Sequence, residues 1–125
     1  MGKASFLTSF SGGRPLNYYE SKDLSRFAEV GKFATPLMKK FFDYYGAATG
    51  QDGALSKREK SLIGLAIAHA QKCPYCIDAY TTQCLETGSN PEQMTEAIHV
   101  AAAIMAGITL VHGVQMHNHL ENKGA

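Results

Sequence analysis

The stretch Ser61-Leu62-Ile63-Gly64-Leu65-Ala66-Ile67-Ala68-His69-Ala70-Gln71-Lys72-Cys73-Pro74-Tyr75-Cys76 decides the fold. Its first ten residues are apolar nearly all round, the pattern of a helix at the centre of a domain. Its last four set two cysteines three apart, with proline just after the first, which is the grammar of a second helix opening. Upstream, Ser56-Lys57-Arg58-Glu59 has the form of a capping box, with Ser56 as cap and Glu59 reaching back. Downstream, the helix begun at Pro74 continues to Glu86 and ends at Gly88, and Asn90-Pro91-Glu92-Gln93 starts the next one.

Working outward, helix punctuation is frequent and strand punctuation nearly absent. Ser21-Lys22-Asp23-Leu24 starts a first helix ending near Gly31. Thr35 caps a second helix with Pro36 in its first position, and Leu37, Met38, Phe41, Phe42 and Tyr45 form its apolar stripe. The helix begun at Pro91 runs through the block Ala101 to Ala106. Gly107 marks a break, and a sixth helix covers about Ile108 to Leu120. The expectation is an all-α single domain over residues 1–125 with about six helices, and residues 1–17 loosely ordered.

The chain has 125 residues, enough for one domain with its own core. A charged fraction of 18% against 45% apolar residues excludes a disordered chain. A net charge of +1 excludes the basic footprint of a nucleic-acid binder. The most apolar stretch, Ala97 to Val111, is shorter than the roughly 20 residues of a membrane span, and the N-terminus carries no secretory hydrophobic run. A soluble, cytoplasmic protein is expected, with neither nucleic acid nor membrane as a partner.

Chemistry concentrates at Cys73 and Cys76. Positions three apart on a helix share a face, so the sulfurs come within bonding range. A helix N-terminus offers free N–H groups and partial positive charge, so at least one thiol is expected to ionise more easily than usual. Such a pair suits reversible disulfide chemistry. It also suits a soft metal or arsenite site if a histidine joins it, although a second ligand pair at zinc spacing is missing. Cys84 lies roughly 12 Å further down the same helix, too far for a disulfide with Cys76, and reads as a small buried apolar residue. Asp78, in the first turns, complements the helix dipole. Histidine is the natural general base near neutral pH. His69 falls one turn before Cys73, and His112 lies on the last helix in an apolar setting. His99 is flanked by Ile98 and Val100, and His117 and His119 lie toward the C-terminal end.

The segment SLIGLAIAHAQKCPYC resembles the core of the alkylhydroperoxidase D (AhpD) and carboxymuconolactone decarboxylase superfamily. The phrases CPYCIDAYT and HVAAAIMAGITLVHGVQM look like its peroxidase-like group associated with arsenosugar biosynthesis. The resemblance runs from about Phe33 to Leu120. It implies an AhpD-like fold, assembly into trimers or hexamers, and no cofactor or resident metal. It also implies that Cys76 attacks a hydroperoxide, that Cys73 condenses with the resulting sulfenic acid, and that a dithiol partner such as a thioredoxin-like protein or lipoamide restores the pair. The redox members carry Glu twelve residues before the first cysteine and His four after the second. This chain has Ser61 and Tyr80 there, so the usual proton relay does not carry over, and Glu59 faces elsewhere on its helix. The site residues expected are therefore Cys76, Cys73, Tyr80, His112, His69 and Ser61. Decarboxylase-like chemistry on a small lactone is the other activity the resemblance brings, and it does not depend on a dithiol.

Overall fold

The computed structural model describes residues 17–124, so the expectation for the N-terminal segment falls almost wholly outside the described residues. Among them the protein is all helix: a 3-10 segment Ser21–Phe33, then α1 (Thr35–Thr49), α2 (Lys57–Ala70), α3 (Pro74–Glu86), α4 (Pro91–Val111) and α5 (Gly113–Asn122). The central position expected for the helix after Ser56 is observed, since α2 packs against both α3 and α4. Leu65, Ala68, Tyr80 and Cys84 form the buried apolar core, with Tyr45, Leu62, Cys76, Ala79 and Met94 packed around it.

The capping box expected at Ser56 is present, and the helix start expected at Asn90 carries a second one. Ser56 Oγ accepts from Glu59 N at 3.1 Å and Glu59 accepts from Ser56 N at 2.8 Å. Asn90 and Gln93 repeat the exchange at 2.8 and 3.0 Å. The Glu59 carboxyl is held below its ordinary range by these bonds to Ser56, which fixes it as a cap.

Three boundaries differ from expectation. Ser21–Phe33 winds as a 3-10 helix, whose three-residue turn stacks Leu24, Phe27 and Val30 in one row along a single cavity. Thr35 is the first helical residue of α1 and not its cap, because its hydroxyl donates back to Gly31 O at 3.4 Å. Gly107 does not break the chain. α4 runs through it to Val111, and the interruption falls at His112 and Gly113. A glycine inside a helix costs only about 1 kcal/mol, which continuous backbone bonding on either side offsets.

Helix α4 has no buried residue in the chain taken alone. Val100, Ile104, Ile108 and Val111 are all exposed. Taken with α5, the helical run Pro91–Asn122 is long and apolar enough to cross a membrane by length and composition. The expectation from Ala97 to Val111 alone therefore undercounted the helix that carries it.

Candidate functional site

The dithiol sits where one helix hands the chain to the next. At the end of α2, Lys72 takes a left-handed conformation with φ 54°. Lys72 N–H then bonds His69 O at 3.2 Å, and Cys73 N–H bonds Ala68 O at 2.9 Å. This is the closing turn of one helix. The next residue is the first of α3, and Cys73 is its cap, with Cys73 Sγ accepting from Cys76 N at 3.3 Å. One turn therefore both ends α2 and aims the Cys73 sulfur at free N–H groups. Cys76, one turn along, brings its Sγ to 2.7 Å from Cys73 Sγ in hydrogen-bond contact, and both residues are half-buried free thiols.

Cys76 is not the easily ionised thiol of the pair. Burial, and then the neighbouring Cys73 thiol, push the Cys76 thiol up from 9.0 to about 11. The helix N–H reaches Cys73, and Cys76 lies behind it.

Tyr80 is buried at 7% exposure, one turn beyond Cys76. Its ring lies on α2 at Gly64, where an added Cβ would meet the ring at 2.5 Å. Its hydroxyl is hydrogen-bonded to the hydroxyl of Tyr45, which α1 supplies from 35 residues away. Burial, then the Tyr80 hydroxyl, and then the charges of Cys76 and Cys73 raise the Tyr45 phenol well above its ordinary value.

These four residues form a wall between two clefts. One, of about 550 Å³, is lined by Leu24, Phe27 and Val30 of the 3-10 segment, by Tyr75 and by Gln83. The other, of about 560 Å³, is lined by Leu55, Ile63, Ile67 and Gln71. Tyr45, Cys73, Cys76 and Tyr80 border both. The arrangement offers two vicinal sulfurs, two phenolic hydroxyls and mostly apolar walls to anything entering from either side.

The remaining expected residues lie elsewhere. Ser61 is fully buried, and its hydroxyl donates to Lys57 O of its own helix at 2.8 Å. His69 is half-buried with Nδ1 2.8 Å from Leu65 O, and His112 is exposed with Nδ1 2.8 Å from Ile108 O. A carbonyl only accepts, so Nδ1 carries the proton in both and Nε2 is left as the basic nitrogen. None of the three lines either cleft. His99 is exposed as well. Asp78 is engaged by the Tyr19 hydroxyl, and the Tyr19 ring meets Tyr75 edge-on at 5.0 Å. Cys84 is fully buried, as expected. Among the described residues no three His, Cys, Asp or Glu side chains gather as an ion site.

Sequence reasoning missed Tyr45, which was counted only as one member of an apolar stripe. The available signal was its hydroxyl, the single polar group on Leu37, Met38, Phe41, Phe42 and Tyr45.

Residues 36–116 match the profile described as the carboxymuconolactone decarboxylase family. The chain is 46% identical over 61 residues to uncharacterized protein 4 in the cox locus of Paracoccus denitrificans, a match covering 49% of this chain and 55% of that protein. It is 32% identical over 75 residues to an uncharacterized protein of Cupriavidus necator, covering 60% of this chain and 66% of that protein. The chain thus spans less than two thirds of either relative. No solved structure matches it.

Proposed function

The chain belongs to the carboxymuconolactone decarboxylase family, and from that footing we propose that it is a cysteine-dependent oxidoreductase of the AhpD-like, peroxide-reducing kind. The observation that carries the reading is the pair of free sulfurs 2.7 Å apart at the opening of α3, bordering two clefts. The phrases CPYCIDAYT and HVAAAIMAGITLVHGVQM support a place near the peroxidase-like group associated with arsenosugar biosynthesis.

In this mechanism the Cys73 thiol receives the Cys76 N–H and donates to the Cys76 sulfur. Cys76 gives up its proton to become the attacking thiolate, which the Cys73 S–H faces at 2.7 Å. The Cys76 sulfur attacks the terminal oxygen of a hydroperoxide; the S–O bond forms and the O–O bond breaks. Sulfur is oxidised by two electrons, the peroxide is reduced, and the proton lost by the dithiol ends on the departing alcohol or water. Cys73 then displaces hydroxide from the Cys76 sulfenic acid, giving water and the Cys73–Cys76 disulfide. A partner dithiol, of thioredoxin-like or lipoamide type, returns both thiols by exchange.

The unpartnered apolar residues of α4 and α5 support a homo-oligomer, since one chain leaves Ile104, Ile108, Val111 and Leu120 exposed. The reading is tested by steady-state consumption of peroxide with dithiothreitol as reductant. Cys76→Ser is expected to abolish turnover, whereas Cys73→Ser is expected to stop after one oxidation, with a sulfenic acid at Cys76 that dimedone traps. Unchanged turnover in Cys76→Ser would remove the mechanism.

A further inference from the structure

Resting on that reading, we infer that Tyr45 is a positioning residue of the peroxide step, holding the Tyr80 hydroxyl so that the Tyr80 proton meets the oxygen leaving the peroxide. Tyr45 comes from α1 and Tyr80 from α3, and their hydroxyls meet at the wall that the two cysteines share. The Tyr80 ring is clamped against Gly64, where no Cβ could stand, so its hydroxyl has little freedom to turn away. When Tyr45 donates into the Tyr80 oxygen, the Tyr80 proton is left to point onward.

The chemistry asks for such a donor. Cleavage of an alkyl hydroperoxide or of hydrogen peroxide expels an alkoxide or hydroxide, which needs a proton. A phenol carries an O–H donor, so it can serve as the acid. Tyr80 transfers its proton to the leaving oxygen as the O–O bond breaks. The proton released from the Cys76 thiol reloads it, so no outside acid is required. A hydroxyl pair also replaces the relay that this chain lacks, because Ser61 is turned into its own helix and His69 and His112 line neither cleft.

The test is the single-turnover loss of thiols in wild type, Tyr45→Phe and Tyr44→Phe with three oxidants: hydrogen peroxide, tert-butyl hydroperoxide and peracetic acid. Acetate leaves without a proton, so peracetic acid needs no donor. Tyr45→Phe keeps the ring and is expected to react about tenfold more slowly with the first two, the size of one lost hydrogen bond in the transition state, and within about twofold of wild type with peracetic acid. Tyr80→Phe should show the same selective loss, and the double variant should be no slower than Tyr80→Phe alone. Tyr44, 74% exposed, serves as the control and should match wild type. Equal slowing with all three oxidants, or no slowing, overturns the inference. Failure of the underlying reading looks different: Cys76→Ser would then consume all three oxidants as wild type does.

Discussion

Cys73 answers to two helices at once, and that double duty explains the thiol chemistry. Its N–H closes α2 onto Ala68 O, and its sulfur caps α3. Lys72 accepts a left-handed backbone to make this possible, a strain of roughly 1–2 kcal/mol for a residue with a Cβ. The helix N–H that would favour a thiolate is therefore spent on Cys73, while burial and the adjacent thiol push Cys76 up to about 11. The rate of peroxide reaction should accordingly keep rising as pH climbs from 7 past 9, measured by stopped-flow thiol loss. A plateau from pH 7 upward would mean that the attacking sulfur is already ionised. The sign for stability follows. The folded chain holds the Cys76 proton more tightly than the unfolded chain, so this contribution is complete below pH 9 and is lost as pH rises toward about 11. The spacing of the cysteines showed that the sulfurs would meet. It did not show which of them the backbone would serve, because that depends on how α2 ends.

At the scale of the elements, punctuation was the most legible feature. Ser56 with Glu59, and Asn90 with Gln93, are local exchanges written within four residues, and both appear where expected. Signals that depend on neighbours read less well. Gly107 lies in a continuous helix, and Thr35 spends its hydroxyl on the Gly31 carbonyl one turn back. Tyr45 reads as core until the helix that faces it is known, because its hydroxyl partner is 35 residues away. Gly64 belongs to the same class. Its missing Cβ lets Tyr80 lie on α2, so Gly64→Ala should force the ring aside and destabilise the fold by about 1–3 kcal/mol in denaturant unfolding, as overpacking does. It should also lower the peroxide rate, because the Tyr80 hydroxyl moves with its ring. A Gly64→Ala protein as stable as wild type would show that the ring has room to yield.

The described residues bury little by themselves. Leu65, Ala68, Tyr80 and Cys84 are the buried apolar residues among those described, while α4 contributes none. The low charged fraction of the sequence already pointed to covered surfaces, but not to which helix would carry them. If α4 and α5 pack against further copies of the chain, sedimentation velocity should give a trimer or hexamer, and Ile104→Glu should shift it toward smaller species by placing a charge in the contact. A wild-type monomer in solution, or a chain recovered with the membrane fraction, would contradict assembly through this face. The central claim concerns the dithiol, and intact-mass analysis of fully reduced protein treated with one equivalent of hydrogen peroxide tests it most directly. The account predicts a loss of two hydrogens per chain, a Cys73–Cys76 linked peptide after digestion, Cys84 still a free thiol, and full reversal by dithiothreitol. A chain that keeps all three thiols, or that gains oxygen irreversibly without forming the link, would contradict it.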